Sequence, residues 1–425
     1  MIRIRPFRAL HYDAAAVGDL AAVIAPPYDV IDDRQLDHLY ERSPYNAVRL
    51  ILNRSPDRYA AAAAELGEWR ARGVLARDER PCLYYYVQDF ALPGGVRRQR
   101  AGLMAAVHLE SFAGGNIRPH ERTFARAKED RLKLLAACRA NLSPIFGVYP
   151  DRLRALEPAR RQSAEEAPWI DVRDEVGDRH RVWRIADPSR VDRIGQALSD
   201  RTVFIADGHH RYETALAYRE RLRERGDTEP EAPHDYVLMY LTSTDEPGLV
   251  LLPTHRVWRG EAKDWLAVVG EHFRVEDFPA TLEGERALLA RLAGETARGV
   301  LALRLPDRAC LLRLQDERLV DEALAELHPV VRWLDVTVLD GLVLRRLLGI
   351  DCTRAAQEGE LTYTHDDAQA LRAAAREGAG AAFLLRAPRI EEVESACMAG
   401  QVMPEKSTYF YPKLQTGLVF HLLDA

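Results

Sequence analysis

One stretch narrows what this chain can be more than any other: Thr202-Val-Phe-Ile-Ala-Asp-Gly-His-His-Arg-Tyr-Glu-Thr-Ala-Leu216. Val203, Phe204 and Ile205 form a short apolar run of high strand propensity, and Gly208 permits a sharp reversal behind it. From about His210 the pattern turns helical: Tyr212, Ala215, Leu216 and Leu222 share one face, while Arg219, Glu220, Arg221, Arg223 and Glu224 populate a solvated one. A glycine turn that feeds a helix start aims free backbone N–H groups and the positive end of the helix dipole at one point. Asp207, His209, His210 and Arg211 crowd that point. Capping alone accounts for the aspartate. It does not account for three adjacent cationic or titratable side chains, which add little to packing and repel one another when protonated. The stretch therefore reads as an anion site, with phosphate the natural occupant.

The 425 residues suggest two or three domains. A content of 47% hydrophobic and 29% charged residues is that of a globular chain, and the net charge of −6 leaves no broad basic field for nucleic acid or an anionic membrane. The opening Met1-Ile-Arg-Ile-Arg-Pro-Phe-Arg has no apolar signal core, and no run of about 18 apolar residues follows, so a cytoplasmic location is expected. The composition leaves a homo-oligomer open. Cys82, Cys138, Cys310, Cys352 and Cys397 have no C-x-x-C spacing, which argues against a zinc site or a disulfide framework.

Taken in order, Ala21 to Ile31 reads as a strand broken by Pro26-Pro27, which places Tyr28 and Asp29 on a stiff turn. A carboxylate on such a loop suits a general base. Asn46 to Leu52 reads as a further strand, and Tyr59 to Arg72 as a helix. Pro81 to Leu92 and Arg97 to Leu109 form a hairpin, with Tyr84, Tyr86, Gln88 and Phe90 on one face as sheet packing. Arg118 and His120 precede a helix that carries Lys128 and Arg131 on one side, a second cationic rim or a salt-bridged surface. A hairpin over Trp169 to Ala186, a helix from Ser189 to Ser199 and strands over Tyr236 to Thr242 and Leu249 to Val257 follow. From about Gly260 helices rich in Ala, Leu, Glu and Arg alternate with strands such as Val300 to Leu305 and Cys310 to Leu314. An amphipathic stretch covers His328 to Leu348, and a β-α-β-α pattern runs from Leu361 to Met398. This divides the chain into 1–260 and 261–425. In the tail, Lys406, Ser407, Thr408, Tyr411 and Lys413 cluster between two prolines, either as a docked hairpin or as a contact to the site.

Four motifs in series make the chain resemble the bacterial and archaeal family of domain of unknown function 1015. They are Ala25-Pro-Pro-Tyr-Asp-Val; His120-Glu121 with Lys128 and Asp130-Arg131; Ala206-Asp-Gly-His-His-Arg-Tyr; and Met403-Pro with Lys406-Ser-Thr-Tyr-Phe-Tyr-Pro-Lys413. Asp207-Gly-His-His-Arg211 also resembles the phosphate-binding motif of the ParB/sulfiredoxin-like superfamily, which includes partition proteins, sulfiredoxins and free-serine kinases. The resemblance implies an α/β (mixed α+β) fold, a ParB/sulfiredoxin-like core with a second helix-rich α/β lobe whose tail returns to the site. No thiol stands in the motif, against the sulfiredoxins, and no helix-turn-helix module or basic surface is seen, against the partition proteins.

What the resemblance then implies is phosphoryl transfer from ATP or ADP with Mg²⁺ to a small hydroxyl-bearing acceptor, free L-serine among them, with nucleotide and acceptor as the partners. Gly208, His209, His210 and Arg211 fall to the phosphates, Asp207 to the turn or a metal-bound water, and Asp29 or Glu121 to the base. Lys128, Arg131, Lys406 and Lys413 are the charge stabilisers. Two other classes stand beside this: a metal-dependent hydrolase with Asp207, His209, His210 and His120 as ligands, and a nucleotide-binding regulatory protein without turnover.

Overall fold

The structure is a computed structural model that describes residues 1–121, 125–151, 154–260, 264–375 and 380–424. It is mixed α+β and divides into two units. The first comprises Met1–Pro119, Thr123–Val250 and Pro412–Ala425, the second His120–Arg122 and Leu251–Tyr411.

The first unit is built on a nine-stranded sheet. In chain order its strands are β1 (Ile4–Arg5), β2 (Leu83–Ala91), β3 (Arg97–His108), β4 (Ile117–Arg118), β5 (Ile145–Tyr149), β6 (Ile170–Arg173), β7 (Arg179–Ile185), β8 (Val203–Asp207) and β9 (Tyr236–Ser243). Across the sheet they run β4-β8-β5-β9-β3-β2-β7-β6, with β1 added on β3. The β8–β4 and β9–β5 pairs are parallel and the remaining pairs antiparallel.

The reason for a sheet covered on both sides lies in strands such as β2, where successive side chains alternate faces and both faces are apolar. Leu83, Tyr85 and Val87 join the main core on one side, while Tyr84, Tyr86 and Phe90 are buried on the other. The two tyrosine hydroxyls are satisfied there: Tyr84 donates to Asp78 Oδ2 at 2.6 Å, and Tyr86 shares a 2.7 Å hydrogen bond with His180 Nδ1. The helices of this unit include α1 (Asp33–Arg42), α2 (Arg58–Ala71), α3 (Ala125–Cys138), α4 (Pro188–Ser199) and α5 (His209–Glu224), of which α3 and α5 carry site residues. On α1 the cap is Asp32, whose carboxylate accepts from Gln35 N–H, with Asp33 already inside the helix.

The second unit holds a six-stranded sheet of β10 (His255–Trp258), β11 (Phe273–Phe278), β12 (Val300–Arg304), β13 (Ala309–Leu314), β14 (Leu361–Thr364) and β15 (Ala381–Leu384). Its order is β11-β13-β12-β15-β10-β14, antiparallel throughout. Helices α6 (Leu282–Ala293) and α7 (Asp367–Ala374) bury Leu288, Leu292, Ala370 and Leu371 with Val300, Ala302 and Leu311 of the sheet.

Four stretches differ from the sequence pattern, each for a local reason. Asn46 to Leu52 is not a strand; Val48–Ile51 is a short helix. The wholly buried Asn46 organises it, donating to the carbonyls of Ala22 and Ile24 and accepting from Val48 N–H. A short apolar run does not distinguish the two states by periodicity. Ala21 to Ile31 forms 3₁₀ turns at Leu20–Ala22 and Tyr28–Val30, with Ala25 bridged to Thr416. Leu249 to Val257 is two strands, Val250–Leu252 and His255–Trp258, because Pro253 cannot donate to a ladder. His328 to Leu348 breaks into helices Pro329–Arg332 and Asp335–Thr337 followed by a π-helical turn sequence, Val338–Leu347. Among the described residues no helix is long and apolar enough to cross a membrane.

Candidate functional site

The junction of β8 and α5 is where the structure concentrates charge. The register of β8 against β5 shifts between Ile205 and Asp207, so the strand is irregular at its last residues, where a bulge re-aims the side chain. Gly208 follows in the left-handed region, φ 91° and ψ 27°, and the 16-residue helix α5 starts at His209 with no side-chain cap. Glycine is the residue best suited to 208. A left-handed backbone disfavours other residues, and a Cβ here would lie 2.9 Å from Cζ and Nη2 of Arg211, which folds back over the turn.

Arg211 donates from Nη2 to Asp207 Oδ2 at 2.6 Å and from Nη1 to the Pro144 carbonyl. Its Nε–H is buried and has no hydrogen-bond partner among the described residues. The other carboxylate oxygen of Asp207 accepts from the Lys413 ammonium. Burial alone would push the Asp207 carboxyl up; the charges of Lys413 and Arg211, the Lys413 hydrogen bond and nearby His209 overcome it and hold the group low, at about 2. His209 is buried and His210 partly so.

Lys413 reaches Asp207 from the far end of the chain because the segment around it is tied to the sheet. Arg100 Nη2 donates to the Pro412 carbonyl at 2.7 Å, and Gln88 Nε2 to the Lys413 carbonyl at 3.4 Å. Gln415 donates to Asp174 Oδ2, Thr416 exchanges backbone hydrogen bonds with Ala25, and its hydroxyl meets Ser143 Oγ at 2.6 Å. Beside this lies a cavity of about 60 Å³, with Tyr28, Arg131, Ser143, Arg211 and Thr214 among its lining.

Arg131 stacks over the Tyr28 ring at 4.2 Å, donates from Nε to Asp130 Oδ2 at 2.7 Å and reaches the Ile51 carbonyl. Burial pushes the Tyr28 phenol up, and Asp29 adds to this, against Arg211 and Arg131. Asp29 itself is exposed on the same 3₁₀ turn. Lys128 is paired with Glu213 at 2.7 Å, joining α3 to α5. Tyr28 and Ser143 belong to this neighbourhood and carry no strong mark in the sequence. Tyr28 has a faint one, its place behind two prolines.

In the second unit, Glu121 Oε1 accepts from the Lys406 backbone N–H at 2.9 Å, and His120 Nε2 meets Thr408 Oγ1 at 2.7 Å. The Lys406 side chain is exposed and its backbone is left-handed, φ 55°. Among the described residues no group of three or more His, Cys, Asp or Glu side chains is placed to hold a metal ion.

An uncapped helix start, a left-handed glycine and an orphaned Arg211 Nε–H make a donor set that fits a phosphate oxygen. It does not fit Mg²⁺ at Asp207, since both carboxylate oxygens already accept from cations.

No curated protein matches the chain. Among solved structures, a free serine kinase in complex with AMP is similar at 14% identity and a TM-score of 0.35, covering 71% of this chain and 89% of that one. A conserved hypothetical protein from Pyrococcus furiosus is similar at 14% identity and a TM-score of 0.33, over 71% and 92% of the two chains. SbnI with a C-terminal truncation, from Staphylococcus aureus, is similar at 11% identity and 0.36, over 75% and 87%. The model of one family matches residues 4–337, most of the chain's length, and the protein belongs to that family, described as Protein of unknown function (DUF1015).

Proposed function

We propose that the chain is a nucleotide-dependent phosphotransferase that moves a phosphoryl group from ATP or ADP to the hydroxyl of a small metabolite, with free L-serine the first acceptor to test. The observation that carries this reading is the β8–α5 junction, where the unpartnered Arg211 Nε–H stands at an uncapped helix start. The backbone N–H groups of His209, His210 and Arg211 hold phosphate oxygens, and the helix dipole adds to their pull. Asp207 acts as a brace: by pairing with both Arg211 and Lys413 it keeps two cations beside the place where charge develops. The resemblance of Asp207-Gly-His-His-Arg211 to a superfamily phosphate motif supports the same reading.

In the reaction a carboxylate takes the proton of the acceptor hydroxyl and the oxygen attacks the terminal phosphorus. The bond to the nucleotide's bridging oxygen breaks, and its electron pair leaves with the nucleotide. Within the first unit Asp29 is the candidate base, because it adjoins Tyr28, whose phenol feels Arg211 and Asp207.

The test is calorimetric binding of ADP and ATP, with Mg²⁺ present, to wild-type and Arg211→Ala protein, followed by turnover with hydroxyl acceptors. Arg211→Ala is expected to lower turnover by about 100-fold or more, the usual effect of deleting one such donor. A wild-type protein that binds no nucleotide sinks the phosphate reading of the turn. Binding without turnover under any acceptor makes the chain a nucleotide-binding regulatory protein instead.

A further inference from the structure

Lys413 stands 206 residues from Asp207 in the chain, so the partnership depends on what holds the Lys413 backbone. A lysine ammonium rides on a flexible four-carbon stem and finds one partner reproducibly only when its Cα is anchored. Two cross-strand partners do the anchoring: Gln88 of β2 and Arg100 of β3 face each other in the ladder. Arg100 is wholly buried, 0% exposed, a position where a guanidinium is costly to keep. It donates from Nη2 to Gln88 Oε1 at 2.8 Å and to the Pro412 carbonyl at 2.7 Å, with the Phe146 ring 4.6 Å beneath it. Gln88 passes its own amide on to the Lys413 carbonyl. Successive carbonyls, one on each side of the Lys413 Cα, are therefore fixed by one pair of buried side chains.

We infer that Arg100, braced by Gln88, is a positioning residue that sets the Lys413 ammonium on Asp207. The geometry stands by itself, and its consequence for turnover rests on the phosphotransferase reading.

The first measurement uses the full chain without ligand. Lysine acylation by N-hydroxysuccinimide acetate, read peptide by peptide by mass spectrometry, compares Lys413, 12% exposed at its side chain, with Lys128, 38% exposed, as an internal reference. In Arg100→Met the Lys413 rate is expected to rise about tenfold with Lys128 unchanged, a coupling within the usual range for residues in one network. Should Arg100→Met not fold, Gln88→Met, which breaks the other half of the clamp, is read in the same way. An unchanged Lys413 rate in a folded variant overturns the inference, and so does a parallel rise at Lys128, which marks general loosening.

The second measurement is ADP affinity in a cycle of Arg100→Met and Lys413→Met. Arg100→Met is expected to weaken ADP about tenfold in the wild-type background and hardly at all once Lys413 is gone. Additive losses overturn the positioning role. A wild-type protein that binds no ADP, together with a raised Lys413 acylation rate in Arg100→Met, removes the phosphotransferase reading and leaves the positioning intact.

Discussion

Arg100 in the first unit and Arg256 in the second are both wholly buried, and both hold carbonyls of the segment from Met403 to Lys413, yet they deliver different things. Arg256 meets Asp340 with two hydrogen bonds, Nε to Oδ1 at 3.0 Å and Nη2 to Oδ2 at 2.9 Å. Its remaining donors reach the carbonyls of Thr254, Glu405 and Lys406. The buried charge is neutralised on the spot, and what is secured is backbone: Lys406 turns left-handed, gives its N–H to Glu121 and leaves its side chain exposed. The hydrogen bonds described for Arg100 run to neutral oxygens, of Gln88 and Pro412, with aromatic faces beside it and Glu246 within electrostatic reach. What that clamp delivers is a side chain, the Lys413 ammonium on Asp207. A guanidinium offers five donors in one plane, so it can tie a strand to a remote segment. The location of the receiving carboxylate decides whether backbone or side chain is presented.

The largest effect that tests this contrast is on stability. Arg256→Met leaves Asp340 without its partner and is expected to cost about 3–5 kcal/mol in the second unit. Hydrogen exchange should quicken along His255–Trp258 while Val203–Asp207 keeps its protection, and a cost under about 1 kcal/mol would mean that Asp340 is well solvated.

Next comes the difference between the two lysines. Lys413→Ala is expected to weaken nucleotide turnover about 100-fold. Lys406→Ala retains the backbone bond to Glu121, so turnover should stay within about tenfold of wild type, less than the loss of a direct charge contact. Equal losses in steady-state assays would show that both tail lysines work through their charge.

Substitutions at two of the left-handed positions, Gly208 and Lys406, should have opposite signs. Gly208→Ala forces a Cβ against Arg211 and costs about 1–2 kcal/mol for the backbone alone, with ADP affinity falling as the guanidinium moves. Lys406→Gly relieves the same backbone cost, partly offset by a freer unfolded chain, for a gain of up to about 1 kcal/mol. Denaturant unfolding of the two variants reads both signs, and a loss at 406 would show that its side chain is needed for stability.

The last effect is on pH dependence. The Asp207 carboxyl is held below its unfolded value near 3.8, so the native state binds fewer protons there than the unfolded chain does. Its contribution to stability is complete above about pH 4 and is lost as pH falls toward the folded value. The difference in unfolding free energy between wild type and Asp207→Asn should shrink over that window. A constant difference would mean that Lys413 and Arg211 do not hold the carboxylate charged.

The strands at Val203–Asp207 and Tyr236–Ser243, the two hairpins and the helix behind Gly208 were legible, because each carries a periodic or turn signal within a few residues. Asp207, Gly208 and Arg211 were legible for a related reason: four residues of chain bring them together, as the hydrogen bond across i and i+4 shows. Phe273–Phe278 did not stand out among its helical neighbours, and Asn46, whose side chain shapes Val48–Ile51, looks like any polar residue in an apolar run.

What the amino-acid order determined by itself is the local chemistry: an apolar strand, a glycine able to turn left-handed, and a helix opening with His-His-Arg, all set by backbone sterics and side-chain periodicity. What only the tertiary structure decided is which distant groups attend that turn. Lys413 arrives at Asp207 through a carbonyl held by Arg100, and Tyr28 and Arg131 stack beside the cavity that Arg211 lines. Those meetings depend on strand order and on buried hydrogen bonds between segments far apart in the chain. No spacing in the sequence encodes them, because a folded sheet places residues by register across strands and not by distance along the chain.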